Sequence, residues 1–355
     1  MKNAVLSLFE DKEYVKVCAP MVRYSKVQFR NIVRKYGCDL CFSPMIVANS
    51  FVQSSKARDI EFTSYDGVLS DRPLIVQFAS SCVKDFVDAA EFVAQHCDGI
   101  DLNCGCPQKW ALKSGFGCGL LSQPEIIHDC VKQLRNRLPE YKTVSVKIRL
   151  YDDVRKTVEL AQSLEAAGVS LLTVHARTPD QRSEPINMDA LIDVRKSVSI
   201  PVIANGDVKS LVDADYLHNA TNCQGIMAAR GILQNPGLFA GHKITQLCVI
   251  EDWLSMKHPN FFIFHNHLVF MLTQLLTRAE RRVFNYLKTA AEVVEFIKNK
   301  FGIVPKNDFS VSLLKPGAVY DSGKFFLEHL KETENGPEDS EESRDYFEGI
   351  SDLYI

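Results

Sequence analysis

The chain has 355 residues, of which 46% are hydrophobic and 24% are charged, and its formal net charge is −3. This length exceeds one average domain, although alternating α/β barrels reach about 250 residues as a single unit. The even charge balance excludes a strongly basic or strongly acidic protein, and the hydrophobic fraction excludes a chain that is disordered throughout.

The C-terminal segment has a different charge from the rest of the chain. Residues 331–355 contain nine Asp or Glu and two Lys or Arg, a net charge of −7 that leaves +4 for residues 1–330. We therefore predict a mildly basic folded part and a disordered acidic tail over residues 304–355. The chain starts without the apolar run of a secretory signal, and its 11 cysteines suit a reducing compartment, so we expect it in the cytoplasm, with the nucleus as an additional location.

Eight short apolar runs recur along the chain, each followed by a segment of helical periodicity. The runs predict strands at Val15–Val22, Asp39–Met45, Pro73–Phe78, Gly99–Cys106, Val144–Arg149, Leu171–Arg177, Pro201–Asp207 and Gly225–Gly231. Helices are predicted at Lys26–Tyr36, Val52–Arg58, Val83–Gln95 and Pro124–Leu138, among others. Eight strands that alternate with helices predict a (β/α)8 TIM barrel over residues 1–240, and no apolar stretch approaches the roughly 20 residues of a membrane span.

Two further segments complete this organisation. Gly115–Gly119 resembles a nucleotide-binding fingerprint, but its spacing and its place after the fourth strand are wrong for one, so we predict a flexible loop over the barrel mouth. Residues 241–303 have helical periodicity and predict a small all-helical domain. Its basic residues would suit a phosphate backbone, although a solvated helical face is the alternative and is favoured by composition: Arg278, Arg281, Arg282, Lys288, Lys298 and Lys300.

Active groups in such barrels lie at the C-terminal ends of the strands, so the residues that close each run predict one site. These residues are Met21, Gln77, Asn103, Cys106, Lys147, Arg149, His175, Arg177, Asn205, Asp207 and Arg230. Cys106 is our candidate catalytic residue, because a thiol with an ordinary pKa of about 8.5 is mostly protonated at neutral pH and can act as a general acid or as a nucleophile. Cys104 is expected to point to the other side and to belong to the core.

Two loops predict a phosphate site, and no segment predicts a metal site. Asn205-Gly206-Asp207 and Ala229-Arg230-Gly231 follow the seventh and eighth strands, where barrels bind phosphate through backbone N–H groups. Lys147 at the end of the fifth strand would stabilise an anionic ring or form a Schiff base. Cys38 and Cys41 have the spacing of half a zinc site, but no second pair completes it, so core packing is the preferred interpretation.

Several of these motifs together resemble a known family. Ala19-Pro20-Met21-Val22, Asn103-Cys104-Gly105-Cys106-Pro107, Val146-Lys147-Ile148-Arg149, Val174-His175-Ala176-Arg177, Ala204-Asn205-Gly206-Asp207 and Ala229-Arg230-Gly231 occur in this order and look like the tRNA-dihydrouridine synthases. The resemblance covers residues 15–240, and the helical segment extends it to about residue 300. Residues 16–26 and 103–111 are most similar to the eukaryotic branch assigned to uridines 20a and 20b.

The resemblance implies an FMN enzyme that reduces the C5=C6 bond of uridine in tRNA, with NADPH or NADH as reductant. Cys106 would protonate C5, and Asn103, Arg149 and Arg177 would bind the target nucleotide. The residues that would hold FMN are Pro20, Met21, Val22, Gln77, Lys147, His175, Asn205, Gly206, Asp207, Ala229 and Arg230. The helical domain would bind tRNA, and we expect a monomer without a metal or a membrane partner.

Two other functions stay open at this stage. A flavin barrel that acts on a small molecule, such as a dihydroorotate dehydrogenase or an ene-reductase, would also explain Lys147 and the phosphate loops. A non-catalytic RNA-binding protein with a relic barrel would explain the helical domain. Tight RNA binding by the purified protein would count against the small-molecule enzyme, and bound flavin would count against the non-catalytic RNA-binding protein.

Overall fold

The computed structural model describes residues 2–62, 71–258 and 260–306, and it divides into two compact units on either side of Ile244 and Thr245. The boundary that we placed between residues 240 and 241 lies four residues earlier. The predicted acidic tail falls almost wholly in residues 307–355, which lie outside the described residues.

The first unit contains a closed barrel of parallel strands, as the sequence predicts. Its strands are β1 (Val15–Cys18), β2 (Leu40–Phe42), β3 (Ile46–Val47), β4 (Leu74–Ala79), β5 (Gly99–Cys104), β6 (Thr143–Arg149), β7 (Leu171–His175), β8 (Val202–Asn205) and β9 (Gly225–Ala228). Neighbours follow the order β2-β1-β9-β8-β7-β6-β5-β4, and a pairing of β2 with β4 closes the ring. The second predicted strand, Asp39–Met45, is shorter in the structure, because β2 ends at Phe42; β2 pairs with the first half of β4, and β3, which follows the predicted strand, pairs with the end of β4.

Helices connect successive strands on the outside of the sheet, as right-handed parallel crossovers require. The first unit contains α1 (Ala4–Asp11), α2 (Val27–Lys35), α3 (Ala48–Gln53), α4 (Ser55–Glu61), α5 (Val83–Val93), α6 (Lys109–Lys113), α7 (Pro124–Arg137), α8 (Val154–Ala167), α9 (Met188–Ser197), α10 (Leu211–Thr221) and α11 (Arg230–Gln234). Short 3-10 helices lie at Ala94–His96, Gly117–Ser122 and Leu238–Ala240. The single helix that we predicted near Val52–Arg58 is two helices, because Ser54 ends α3 and caps α4 through its hydroxyl group.

The two faces of strand β5 show where the polar side chains go. Leu102 and Cys104 are completely buried, and Cys104 lies within electrostatic range of Cys130 on α7, so this face packs against the helices. Asp101 and Asn103 lie on the other face, because successive side chains of a strand alternate. The interior of the barrel therefore carries polar groups on this side, and the apolar core lies between the sheet and the helices.

The second unit is helical in the described residues from Thr245 to Lys306. It consists of α12 (Leu247–Leu254), α13 (Phe261–Met271), α14 (Arg278–Asn285) and α15 (Ala290–Phe301). Reciprocal capping boxes begin α14 and α15, and each such cap contributes about 1 kcal/mol to the helix. The unit has its own core, in which the Nε1 of Trp253 donates a hydrogen bond to the carbonyl oxygen of Phe264 at 3.1 Å. No helix among the described residues combines the length and the hydropathy that a bilayer crossing needs.

Candidate active site at the mouth of the barrel

The strand register places five of the predicted site residues side by side at one end of the barrel. Lys147 on β6 is paired with Asn103 on β5, and Arg149 on β6 is paired with His175 on β7, which is paired with Asn205 on β8. Residues paired in a parallel sheet project to the same face, and parallel strands end at the same rim. These five side chains therefore share the C-terminal mouth of the barrel, where barrel enzymes have their active sites.

Cys106 lies just beyond the end of β5, on a loop whose backbone is held from two sides. The Oδ1 of Asn103 accepts hydrogen bonds from the N–H groups of Gly105, at 3.1 Å, and Cys106, at 2.9 Å. On the other side, the Nε of Arg149 donates to the carbonyl oxygen of Gly105 at 3.0 Å. These three bonds fix the path of the loop, so the position of the Cys106 thiol is well defined.

The Cys106 thiol is half-buried, and burial raises its pKa above the ordinary value. The thiol is therefore protonated at neutral pH, which favours a proton donor over a thiolate nucleophile. Cys104 is completely buried, and burial raises its pKa further. Strand alternation does not separate the two cysteines, since residues two apart share a face; they differ because β5 ends at Cys104 and Cys106 lies beyond it.

The glycine-rich segment after Cys106 is not the flexible loop that we predicted. Gly117–Ser122 forms a 3-10 helix, and the N–H of Cys118 donates to the carbonyl oxygen of Cys106 at 3.0 Å. Gly117 has a φ of +57°, and a Cβ atom there would lie 2.4 Å from that carbonyl oxygen. The segment therefore packs directly against Cys106, and glycine is required because no other residue fits this contact.

Lys147 is a buried cation that lies within electrostatic range of Asp101 but forms no ion pair among the described residues. Its side chain is 8% exposed, and no hydrogen bond or ion pair to its Nζ is formed in the part of the chain that the structure describes. Burial, and then the neighbouring charge of Arg149, lowers its pKa to about 8. An unpaired buried ammonium is costly, so this position favours an anionic ligand.

His175 and Arg177 form a buried pair beside the same mouth. Burial, together with the positive charges of Lys147, Arg149 and Arg177, holds the pKa of His175 well below its ordinary value, so the ring is neutral. The Nη1 of Arg177 lies 3.3 Å from the Nε2 of His175, and because arginine can only donate, the ring proton belongs on Nδ1. The Nη2 of Arg177 also binds the Oδ1 of Asp207 at 2.6 Å.

The loops after β8 and β9 are those for which the sequence predicts a phosphate site. Gly206 has a φ of +137°, and a Cβ atom there would lie 2.4 Å from the Cγ2 of Ile186. Ala229 precedes α11, whose first residue, Arg230, has no hydrogen bond or ion pair within the described residues. Asn205 donates through Nδ2 to the carbonyl oxygen of Met227, while its buried Oδ1 has no partner there. The loops therefore present an unpaired cation and an unpaired acceptor to the mouth.

Some predicted ligand residues are already engaged within the protein. The side chains of Gln77, Asn103, Arg149 and Arg177 are all buried and hydrogen-bonded to other parts of the barrel. Around Pro20, Met21 and Val22, the N–H of Met21 donates to the hydroxyl oxygen of Ser25, and its carbonyl oxygen accepts from Tyr24 and Ser25. These groups have less bonding capacity left for a ligand than the sequence suggests, so their assigned roles stay predictions.

Three polar residues of the mouth were missed by the sequence analysis. Asp101 and Ser145 are buried and hydrogen-bonded to each other, and Thr173, which is paired with Lys147, has a buried hydroxyl without a partner among the described residues. A carboxylate in the middle of the apolar strand Gly99–Cys104 is the one signal that could have identified Asp101. No group of three or more His, Cys, Asp or Glu suited to a metal occurs within the described ranges, and Cys38 and Cys41 form a buried thiol contact of 3.8 Å.

The chain is similar to known proteins over most of its length. Residues 17–306 match the family model described as dihydrouridine synthase. The chain is 47% identical over 308 residues to a Homo sapiens protein named tRNA-dihydrouridine(20a/20b) synthase (NAD(P)+)-like, an alignment that spans 85% of this chain and 96% of the relative. A Mus musculus protein of the same name is 46% identical over 305 residues, covering 85% and 93%. The Schizosaccharomyces pombe tRNA-dihydrouridine(20a/20b) synthase (NAD(P)+) is 42% identical over 281 residues, covering 78% and 85%. The chain belongs to the dihydrouridine synthase family.

Proposed function

We propose that the protein is a tRNA-dihydrouridine synthase, an oxidoreductase that uses FMN and NADPH or NADH to reduce the C5=C6 bond of uridines 20a and 20b in tRNA. The observation that carries this proposal is the placement of a protonated, half-buried thiol, Cys106, at the same barrel mouth as an unpaired buried cation, Lys147. The family match and the names of the human, mouse and fission yeast relatives support the reaction and the position of the uridines.

The described residues fit FMN. The buried Oδ1 of Asn205 and the buried Oγ1 of Thr173 lack hydrogen-bond partners among the described residues, and a bound group would supply them. Lys147 would hold the anionic side of the flavin ring, while Arg230 and the backbone of Gly206 would hold the phosphate. When bound, FMN supplies the hydride that adds to C6 of the uracil ring.

The protein's own part in the reaction is to hold the base and to deliver a proton. C6 is the electrophilic carbon because it is conjugated to the C4 carbonyl, so negative charge develops at C5. The thiol of Cys106 donates its proton to C5, and its raised pKa keeps that proton in place until it is needed. The target uridine must leave its stack to reach the barrel mouth, as in other enzymes that modify bases in nucleic acids.

The direct test uses the purified full chain, FMN, NADPH and a tRNA transcript that contains uridines 20a and 20b. We expect dihydrouridine at one or both positions, and none in a transcript in which both are replaced by cytidine. NADPH oxidation driven by a small enone but not by tRNA would favour the small-molecule ene-reductase. Tight tRNA binding by a protein that binds no FMN would favour the non-catalytic RNA-binding protein.

The pKa of Lys147 predicts how FMN affinity changes with pH. Because this pKa is lowered to about 8, Lys147 is charged below pH 8 and loses its proton above it. FMN affinity is therefore expected to be constant near pH 7 and to fall above pH 8, by at most about tenfold per pH unit. Lys147→Ala should weaken FMN binding about 10- to 100-fold at pH 7, the usual contribution of a charged hydrogen bond. Quenching of FMN fluorescence measures both effects.

Lys147→Arg is the matched control, since a guanidinium stays charged over this range. Its FMN affinity should vary little between pH 7 and pH 9, even if the larger side chain lowers the affinity overall. An equal fall in the wild type and in Lys147→Arg would show that another group titrates, and it would remove Lys147 from the FMN site.

The helical unit offers a surface for the tRNA backbone, and its arginines differ in their exposure. Arg281 is half-buried, and its Nη1 donates to the carbonyl oxygen of Thr273 at 3.3 Å. Arg278 and Arg282 are exposed and form no ion pair with other described residues. We therefore propose that these two arginines contact phosphates. Tyr286, at the end of the same helix, has a side chain that is 72% exposed.

Replacing both Arg278 and Arg282 with Gln is expected to weaken tRNA binding and to lower the slope of log affinity against log salt by about one unit per lost phosphate contact. The control removes the same charge from exposed positions on the barrel helices, Lys132→Gln with Lys156→Gln. A slope that changes equally in both double variants would show an effect of net charge alone and would return the arginines to the solvated-face interpretation.

A further inference from the structure

Four residues at the barrel mouth form a continuous chain of hydrogen bonds that ends at the Cys106 loop. The hydroxyl of Ser145 donates to the Oδ1 of Asp101 at 2.6 Å, and the Nε2 of Gln77 donates to its Oδ2 at 2.8 Å. The Nδ2 of Asn103 then donates to the Oε1 of Gln77 at 2.8 Å. The Oδ1 of Asn103 accepts the N–H groups of Gly105 and Cys106 at 3.1 Å and 2.9 Å.

The backbone geometry explains why these side chains meet. Gln77, Asp101 and Ser145 are register partners on β4, β5 and β6, so their side chains project from the same face at the same level. Asn103 is two residues beyond Asp101 on β5 and therefore lies on that face, one step closer to the mouth. The exposed fraction is 0% for Asp101, 1% for Gln77 and 7% for Asn103, so water does not compete for these bonds.

The carboxylate at one end of this chain of hydrogen bonds and the backbone N–H groups at the other end have fixed donor or acceptor character, whereas the two amides between them do not. An ionised carboxylate only accepts, and a backbone N–H only donates. Each carboxamide can turn by 180° and exchange its donor for its acceptor. With Asp101 accepting at one end, Gln77 must present its nitrogen to Asp101 and its oxygen to Asn103, which in turn leaves the Asn103 oxygen for the loop.

Asp101 stays ionised at neutral pH, although burial raises its pKa to about 6. Its two hydrogen bonds, from Ser145 and Gln77, and the positive charge of Lys147 act in the opposite direction and favour the carboxylate. A buried carboxylate that costs stability and contacts only other buried groups indicates a role beyond packing.

We propose that Asp101 is a positioning residue for the reaction: its carboxylate fixes the orientation of the Gln77 and Asn103 amides, and through them the position of the Cys106 thiol. The proposal rests on the proposed function, because it assigns the chain of bonds to the delivery of the Cys106 proton. Asp101 itself does not touch the target base in this assignment. It acts through Gln77 and Asn103.

The test compares Asp101→Asn with Ser145→Ala. Asp101→Asn keeps the shape of the side chain, but it can present a donor to Gln77 and so permits the amides to reverse. Ser145→Ala removes the other partner of the same carboxylate and, at a pH well above 7 where Asp101 stays ionised, leaves the direction of the hydrogen-bond chain unchanged. Two rates are measured at one pH: alkylation of Cys106 by iodoacetamide, followed by peptide mass spectrometry with the exposed Cys82 as internal reference, and dihydrouridine formation at saturating tRNA.

For Asp101→Asn we expect the alkylation rate of Cys106 relative to Cys82 to change several-fold. We also expect kcat to fall about 10- to 100-fold, because a misplacement of the thiol approaching 1 Å has an effect of this size. The KM for tRNA and the FMN content should be unchanged. Ser145→Ala should keep both rates within about threefold of wild type. If Asp101→Asn fails to fold, Asn103→Asp replaces it, because a second carboxylate cannot donate to Gln77 and breaks the chain at another bond.

Two outcomes would overturn the proposal. One is a folded Asp101→Asn variant with wild-type alkylation and turnover. The other is an equal loss in Asp101→Asn and Ser145→Ala that follows their thermal stability, which would make Asp101 a structural residue only. A wild-type protein that forms no dihydrouridine would contradict the proposed function instead, and the alkylation comparison would still decide whether Asp101 positions Cys106.

Discussion

Cys106→Ala is expected to slow the formation of dihydrouridine about 10²- to 10⁴-fold, the usual contribution of a positioned general acid. The protein should keep its fold and its FMN, because the loop is held by backbone bonds to Asn103 and Arg149 that do not involve the thiol. Reduction of the bound flavin by NADPH should be unaffected, since that half of the reaction does not need a proton on C5. The loss is therefore confined to the step in which tRNA is reduced.

Stopped-flow absorbance separates the two half-reactions, one with NADPH alone and one with tRNA added to prereduced protein. Cys104→Ala is the matched control: it removes the same group two residues away, from a completely buried site. That change should cost about 1 kcal/mol of stability and leave the tRNA step within a few-fold of wild type. A Cys106→Ala protein that is reoxidised by tRNA at the wild-type rate would show that Cys106 is not the proton donor.

The barrel could be predicted from the sequence because its signals are local. Every buried strand of a parallel barrel needs an almost continuous apolar run, and each of the eight predicted runs overlaps an observed strand. The ends of these runs also identify the mouth, because strand polarity alone brings Lys147, His175 and Asn205 to one rim. The first helix was missed, although Asn3 caps it by accepting the N–H groups of Val5 and Leu6, a signal present in the sequence.

The partners of each side chain could not be predicted, because they depend on contacts between distant parts of the chain. Asn103 was assigned to the target nucleotide, yet its oxygen holds the Cys106 loop and its nitrogen contacts Gln77, 26 residues away. Arg149 was also assigned to the target nucleotide, yet its Nε donates a hydrogen bond to the Gly105 carbonyl oxygen in the Cys106 loop. The sequence shows which residue types reach the mouth, whereas only the structure shows how much of their bonding capacity is already used.

The contact between Gly117 and Cys106 gives a test that the sequence could not suggest. A Cβ atom at residue 117 would lie 2.4 Å from the carbonyl oxygen of Cys106 and 2.7 Å from its Cβ, both well inside van der Waals contact. The φ of +57° adds strain of about 1–2 kcal/mol for any residue other than glycine. Gly117→Ala must therefore displace Cys106 or the 3-10 helix that begins at residue 117.

We expect Gly117→Ala to lower the rate of dihydrouridine formation about 100-fold while FMN stays bound, because a shift approaching 1 Å at the proposed proton donor is enough for such a loss. Gly119→Ala is the control in the same helix. A Cβ atom there would have its nearest contact at 3.8 Å, with the carbonyl oxygen of Leu112, and Gly119 does not have a positive φ. Turnover and thermal unfolding are measured on both variants. Wild-type turnover by a folded Gly117→Ala protein would mean that the position of Cys106 does not limit the reaction, whereas a loss in Gly117→Ala alone would show that this glycine keeps the thiol in place.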